Sequence, residues 1–160
     1  SRTNELTTEL NKLLDAQPPP APVAKPPAAE PVFKNVEIFD STGKSIGEFD
    51  GVVPSRRAFV EDKSAKGIDT PHPRTGKPQQ TPEQWAEKQI FGKTEKRIQA
   101  LKDARSMSPA KDGSPTLTEM QGYRKLVFKV ENNTPSVKEA VKAQVARLKQ
   151  TYPDWDFSIV

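Results

Sequence analysis

Two short apolar runs separated by a four-residue turn constrain the fold of this chain more than any other feature. The first run is Gly47–Val53, the second is Ala58–Lys63, and the residues between them read Pro-Ser-Arg-Arg. Pro favours the start of a turn, while Val and Phe favour strands. The pattern therefore predicts a β-hairpin centred between Ser55 and Arg56.

In this register, charged side chains meet across the hairpin. Asp50 is predicted to lie opposite Glu61, and Glu48 opposite Lys63. Because side chains alternate between the two faces of a strand, these four groups are expected to share one face. Directly opposed Cβ atoms lie about 4.5–5.5 Å apart, where like charges are destabilising unless something neutralises them.

The same register makes predictions for the apolar residues. Val52 is expected opposite Phe59, while Phe49, Val53 and Val60 are expected to point to the other face. A slip of one residue would turn the acids of one strand away from those of the other. The proposed cluster of charges therefore depends on this pairing.

An acid pair of this kind predicts a site for a divalent cation. Mg²⁺ takes oxygen ligands, usually one or two carboxylates together with water and phosphate oxygens, and Mn²⁺ suits the same donors. Asp50 and Glu61 are the predicted ligands, with Glu48 as an additional contact or the ligand of a second ion. Lys63 would orient a water molecule or stabilise charge on phosphate oxygens. The predicted chemistry is metal-dependent hydrolysis of phosphodiester bonds.

A plainer interpretation of the same residues is a solvated strand surface. Acids and lysines decorate many exposed sheets, and a cross-strand pair such as Glu48 and Lys63 contributes little when it is exposed. The apolar residues on either side of each acid favour the metal site over this alternative.

At Asp50, Glu61 and Lys63 the chain resembles the PD-(D/E)xK nuclease superfamily, which has the fold of type II restriction enzymes. The spacing is Asp, ten residues, then Glu-x-Lys, and Phe49 stands where the family has Pro. The sequence of residues 46–65 is especially similar to nuclease domains at the C-termini of bacterial polymorphic toxins.

The resemblance implies a secreted or delivered effector that cuts nucleic acid in the cytoplasm of a target cell. It also implies a cognate immunity protein as a partner. By analogy the substrate is DNA, with RNA left open. The family often carries a polar helix residue, frequently Gln, after the Glu-x-Lys strand, and Gln89 is favoured over Gln84 for that supporting place.

Basic residues are concentrated around the proposed site. Residues 51–110 contain twelve Lys and Arg against seven Asp and Glu. A basic rim suits a polyanion and offsets the repulsion between acids and phosphate, although ordinary solubilising charge would look the same in isolation. The predicted nucleic-acid-binding residues are Arg56, Arg57, Lys66, Arg74 and Lys77.

Other classes of site are excluded by composition. The 160 residues contain no Cys, so they offer no disulfide, no thiolate zinc site and no Cys nucleophile. The single His72 lies in turn-like sequence and is interpreted as a solvated loop residue. No run is long enough to cross a membrane, and no membrane partner is predicted. The start lacks a signal-peptide pattern and an initiator Met, which suggests a fragment of a longer protein.

Three regions are predicted along the chain. Residues 1–17 carry Leu at helical spacing and form a short amphipathic helix. Residues 18–32 are a Pro-rich linker between a delivery region and an effector. Residues 33–160 form the nuclease-like domain.

The order of elements in the domain predicts an α/β fold. Residues 36–39 and the two hairpin strands form an antiparallel N-terminal meander. The sequence Thr81-Pro82-Glu83-Gln84 starts a helix that runs to about residue 105 and is broken at Gly92. Leu126–Val130 is a central strand, and a helix from Thr134 leads by a parallel crossover to a closing strand.

We therefore expect a mixed β-sheet with flanking helices, as in restriction-endonuclease-like proteins. Two long loops, over residues 64–81 and 106–118, complete the domain, and the first would cover a substrate groove. Two functions compete with DNA cleavage. One is a toxin that cleaves tRNA or other RNA, and the other is a non-enzymatic protein-binding module tethered by the Pro-rich linker.

Overall fold

The structure, a computed structural model, describes residues 30–68, 71–78 and 80–160. The chain divides into two compact units, Ser1–Glu30 and Pro31–Val160. The helix predicted over residues 1–17 lies outside the described residues, as does most of the linker predicted over residues 18–32. All helices and strands described below belong to the second unit.

A six-stranded mixed sheet forms one layer of this unit. Its strands are β1 (Phe33–Phe39), β2 (Ser45–Val53), β3 (Ala58–Ser64), β4 (Ser106–Ser108), β5 (Lys125–Glu131) and β6 (Asp156–Ile159). The strand order is β4-β1-β2-β3-β5-β6. Strands β1 to β3 pair antiparallel, whereas β5 is parallel to β3 and β6 is parallel to β5. The predicted α/β class, the antiparallel meander and the final parallel crossover are confirmed.

Helices form the second layer. They are α1 (Pro82–Ala86), α2 (Lys93–Asp103), α3 (Leu117–Gln121) and α4 (Pro135–Thr151). A π-helical turn, Glu87–Gly92, joins α1 to α2 without a break, because the residues at both junctions keep helical dihedral angles. The predicted break at Gly92 is therefore a change of winding and not an end of the helix.

The predicted start of the first helix is confirmed. Oγ1 of Thr81 accepts the backbone N–H of Gln84 at 3.1 Å, and the side chain of Gln84 accepts the N–H of Thr81 at 3.1 Å. Pro82 occupies the first turn, where its missing N–H costs nothing. This reciprocal pair of hydrogen bonds satisfies two backbone donors that a helix start otherwise leaves unpaired.

The two parallel connections place the helices on one face of the sheet. Strands β3, β5 and β6 are neighbours in that order, and right-handed crossovers between them leave both sets of helices on the same side. In agreement, α4 packs against α1 and the π-helical turn. Among the described residues, no helix combines the length and the apolarity that a membrane crossing requires.

The core lies between the sheet and these helices. Phe59 is fully buried and packs near Phe49, Tyr123 and Trp155. The helices contribute four large buried side chains to the core: Trp85, Ile90, Ile98 and Leu101. The core therefore begins immediately beside the hairpin that carries the acids.

The loop predicted over residues 106–118 is wrong in part. It contains β4, which pairs with the edge of β1, and the start of α3, whose N-cap Thr116 accepts the N–H of Glu119 at 3.1 Å. Both elements are too short to produce a periodic pattern in the sequence. Their positions depend on neighbours elsewhere in the fold.

Candidate active site

The predicted hairpin register is confirmed where β2 and β3 pair. Val52 lies opposite Phe59, with Gly51 opposite Val60. The chain reverses through a 3₁₀ turn, Pro54–Arg56, that is closed by a hydrogen bond from the Arg57 N–H to the Pro54 carbonyl at 3.0 Å.

Beyond this pairing, the side chain of Asp50 bridges the two strands. Its Oδ2 accepts the backbone N–H of Asp62 at 2.8 Å, a donor that a continued ladder would have paired with a carbonyl. The bond fixes the Asp50 carboxylate against β3, next to Glu61. The backbone pairing of β2 with β3 thus stops at Asp50 and Glu61, and the hydrogen bond of Asp50 to Asp62 connects the two strands there.

The pairing of β1 with β2 is interrupted at the rung of Asn35 and Asp50, where Asn35 has a left-handed φ of 54°. On β2, Phe49 and Val52 are both buried although three positions separate them. The ring of Phe49 stacks on Phe59, with centroids 4.1 Å apart. The prediction that Phe49 points away from the face of Phe59 is wrong.

Glu48 does not join the other acids. Its side chain is exposed, and it lies opposite Glu37 in the register of β1 with β2. Since Phe49 faces the core, its strand neighbour Glu48 points to the opposite side. Glu48 is also not among the charges that act on Glu61 or Lys63. The predicted sharing of one face by all four charged groups is therefore wrong for Glu48.

Glu61 is a buried carboxyl group, with 2% of its surface exposed. Its Oε1 accepts a hydrogen bond from Nε of Arg97 at 3.3 Å, while Oε2 is buried and has no hydrogen-bond partner among the described residues. Burial raises the pKa of Glu61 to about 8 against the opposing charges of Arg97 and Lys63. When Glu61 is protonated it can donate that proton to Asp50, and this hydrogen bond together with the negative charge of Asp50 raises the pKa further.

Lys63 lies on the same side of β3 as Glu61 and is 9% exposed. Burial lowers the pKa of its ammonium group, and the positive charges of Lys93 and Arg97 lower it further, while Glu61 and Asp50 oppose the shift. Five charged groups therefore interact at this place. We call them the charge cluster, and they are Asp50, Glu61, Lys63, Lys93 and Arg97.

Two members of the charge cluster were missed in the sequence. Lys93 and Arg97 are one helical turn apart on α2, which lies 36 residues after Glu61 at the point of contact. Positions i and i+4 share a helix face, so the spacing was a readable signal, but nothing local tells which element that face covers.

The predicted supporting residue remains a prediction. The side chain of Gln84 is engaged in the helix cap with Thr81. Gln89 lies partly exposed in the π-helical turn, four residues before Lys93.

Two of the predicted nucleic-acid-binding residues lie at the far end of the hairpin. Arg56 and Arg57 are at the turn, and Lys63 lies six residues beyond Arg57, which at about 3.3 Å per residue is about 20 Å. The guanidinium of Arg57 stands 5.2 Å from the ring centroid of Tyr123 and donates to the carbonyl of Gly122 at 3.3 Å. These contacts give Arg57 a structural role, whatever it does towards nucleic acid.

The other three lie beyond the opposite end of β3. Lys66 follows that strand directly, two residues after Ser64. Arg74 and Lys77 are exposed in the described segment 71–78, where Nδ1 of the exposed His72 accepts the Arg74 N–H at 3.1 Å. A role of these residues in binding nucleic acid stays a prediction.

The carboxylates present fit a divalent cation only in part. Over residues 30–68, 71–78 and 80–160, no group of three or more His, Cys, Asp or Glu is placed to hold a metal. Asp50 and Glu61 nevertheless supply two hard oxygen donors, and the unpartnered Oε2 of Glu61 is a buried acceptor without a donor. This set suits Mg²⁺ or Mn²⁺ completed by water and substrate oxygens, and it does not form an all-protein cage.

Comparisons with protein-family models, with curated proteins and with solved structures found no match for this chain. The assignment of function therefore depends on the geometry and the charges of the site itself.

Proposed function

We propose that the unit Pro31–Val160 is a metal-dependent endonuclease of restriction-endonuclease-like fold that hydrolyses phosphodiester bonds, with DNA as its substrate. The observation that carries the proposal is the convergence of Asp50, Glu61 and Lys63 where β2 and β3 separate. Two strands in the predicted register, joined by a tight turn, bring these residues from separate runs of sequence.

The energetics of the buried Glu61 favour a function over a structural role. Burying a carboxyl group whose oxygen lacks a hydrogen bond costs about 1–3 kcal/mol by mutational data. A fold retains such a destabilising group when the group has a function. Carboxyl groups with perturbed pKa values cluster at active sites. A bound divalent cation would favour the ionised form of Glu61, because it would offset the repulsion between the carboxylates of Asp50 and Glu61 and supply a partner for Oε2.

Each residue then has a separate task. Asp50 and Glu61 would hold Mg²⁺ or Mn²⁺, which when bound supplies Lewis-acid polarisation of the scissile phosphate. The lowered pKa of Lys63 lets its Nζ release and recover a proton more easily than an exposed lysine, so Lys63 can exchange a proton with the attacking water. The hydrogen bond between Asp50 and the Asp62 N–H keeps the two strands at the separation that this arrangement needs.

The biological setting of the proposal is a toxin effector of interbacterial competition. It is supported by the resemblance over residues 46–65 and by the seven prolines between residues 18 and 31, which suit a spacer between a delivery region and an effector. The effector would act in the cytoplasm of the target cell, and a cognate immunity protein would protect the producer.

The test is cleavage of supercoiled plasmid and of total RNA in parallel, with Mg²⁺, with Mn²⁺ and with EDTA. Asp50→Ala and Lys63→Ala are expected to reduce plasmid cleavage at least about 100-fold. Asp62→Ala is the matched control on the same strand, since its side chain is exposed and Asp50 contacts only its backbone. Circular dichroism checks that each variant is folded.

Unchanged cleavage by the folded Asp50→Ala variant would end the assignment. Degradation of RNA alone would move the proposal to an RNA-cleaving toxin. Absence of cleavage, together with no heat of Mn²⁺ binding in calorimetry, would favour the non-enzymatic protein-binding module.

A further inference from the structure

Three cations of the charge cluster differ in how far they are buried. Lys63 is 9% exposed, the side chain of Arg97 is 24% exposed, and Lys93 is exposed one helical turn before Arg97. Exposure therefore increases from Lys63 on β3, next to the buried Glu61, to Arg97 and then Lys93 on α2. None of them belongs to the basic residues that the sequence assigned to nucleic acid.

The charge cluster contains more cations than carboxyl groups. Three cations face two carboxyl groups, Asp50 and Glu61, so the cluster retains a positive charge even if both acids are ionised. The contact of Arg97 with Glu61 is made through Nε at 3.3 Å, as a single hydrogen bond and not as the parallel pair that a bidentate arginine forms. This arrangement suits an anion shared between the cations near the surface of the cluster.

We propose that Lys93 and Arg97 form a phosphate-binding pair that holds the nucleic-acid backbone over Lys63. The identity of the anion rests on the proposed nuclease function, while the site itself rests on the placement of α2 against β3. A guanidinium and an ammonium one turn apart contact phosphate oxygens, which fixes the register of the substrate without reading its sequence. The pair binds duplex in the absence of a divalent cation.

The test measures binding of a short fluorescein-labelled DNA duplex to the full chain by anisotropy, in EDTA and at several KCl concentrations. Lys93→Ala and Arg97→Ala are each expected to weaken binding about tenfold, as the loss of one charged hydrogen bond implies. Each is also expected to reduce the slope of log affinity against log salt by about 1. Lys96→Ala is the matched control, because Lys96 is exposed on the same helix and is not among the charges that act on Lys63.

Arg97→Ala leaves Glu61 without its hydrogen bond, so Lys93→Glu serves as a second variant that keeps the contact of Arg97 with Glu61 in place. A larger loss of affinity in Lys93→Glu than in Lys93→Ala supports the proposal. Equal affinity and equal salt slope in the Lys93, Arg97 and Lys96 variants would overturn it, as would absence of duplex binding by the unsubstituted chain.

The experiment separates this inference from the proposed function. Binding that depends on Lys93 and Arg97, without any plasmid cleavage in Mg²⁺ or Mn²⁺, would remove the nuclease and keep the phosphate-binding pair. Plasmid cleavage with binding indifferent to Lys93 and Arg97 would keep the nuclease and remove the pair.

Discussion

Glu61 is the residue on which the site depends most. It is buried among core side chains, yet one of its oxygens has no hydrogen-bond partner among the described residues, and the other meets a single donor of Arg97. Removing a carboxylate from water favours the neutral acid, and the nearby Asp50 adds to that preference. Glu61 is therefore a buried titratable group, and binding of a metal ion or a substrate nearby can change its charge.

This burial predicts a pH-dependent stability of the metal-free protein. The pKa of Glu61 is about 8 in the folded state against a model value of 4.5. Between these values the folded state retains a proton that the unfolded state has released. The free energy of unfolding is therefore expected to fall as pH rises from about 4.5 to about 8, by at most about 1.4 kcal/mol per pH unit for this one proton.

Urea denaturation in EDTA across this pH range measures the dependence. Glu61→Gln, which cannot ionise, is expected to remove the component that Glu61 contributes, and Glu48→Gln on the exposed face is the control that should keep it. A Glu61→Gln variant with the same dependence as the unsubstituted protein would show that Glu61 is ionised throughout.

Among the elements, the π-helical turn Glu87–Gly92 joins α1 to α2 within one continuous helix. An α-helix turns about 100° per residue, so the wider turn rotates everything that follows it relative to a regular helix. That rotation bears on which side chains of α2 lie near β3: Arg97 contacts Glu61, and the charge of Lys93 acts on Lys63. The turn ends at Gly92, whose φ of −61° is an ordinary helical value.

Gly92 is therefore expected to tolerate a side chain. A Cβ added there would lie 3.5 Å from the Glu87 carbonyl oxygen, an ordinary contact distance. Gly92→Ala should raise the free energy of unfolding by about 0.5–1 kcal/mol, because alanine loses less backbone entropy on entering a helix. Urea denaturation measures the change. A loss of stability would instead mean that the π-helical turn requires glycine for its width.

At the largest scale, the unit Pro31–Val160 is a two-layer α/β fold with unequal sheet edges. Strand β6 lies at one edge but buries Phe157 completely, in contact with the Trp155 ring at a centroid distance of 6.0 Å. Strand β4 lies at the other edge and contributes only Met107, which is partly buried. The parallel half of the sheet thus carries more of the core than the antiparallel edge.

The two edge strands allow a matched comparison. Phe157→Ala is expected to lower the free energy of unfolding by about 3–5 kcal/mol, since it leaves a cavity under the helices. Met107→Ala removes a partly buried side chain and is expected to cost about 1–2 kcal/mol. Equilibrium denaturation measures both, and equal costs would contradict the view that β6 belongs to the core and β4 does not.

Much of the site could be predicted because the hairpin that carries Asp50, Glu61 and Lys63 is formed by residues close together in the sequence. The turn at Pro54–Arg56 and the alternation of side chains set the hairpin register within a few residues of sequence, and Asp50, Glu61 and Lys63 follow from it. The Thr81 cap and the start of α4 after Thr134 are equally local, since each depends on hydrogen bonds between residues three apart. The predicted placements of Phe49 and Glu48 were wrong because side chains do not alternate strictly between the faces of β2 from Phe49 to Val52, and no periodic pattern in the sequence signals this.

The amino-acid sequence by itself determined the hairpin, its register, the capped helices and the three residues of the nuclease-like spacing, because short-range sterics and hydrogen bonding decide them. Only the tertiary structure decided that β5 pairs parallel to β3 and that α2 lays Arg97 on Glu61 across 36 residues. It also decided how deeply Glu61 and Lys63 are buried. Such contacts depend on how the two layers pack, and burial exists only once they have done so.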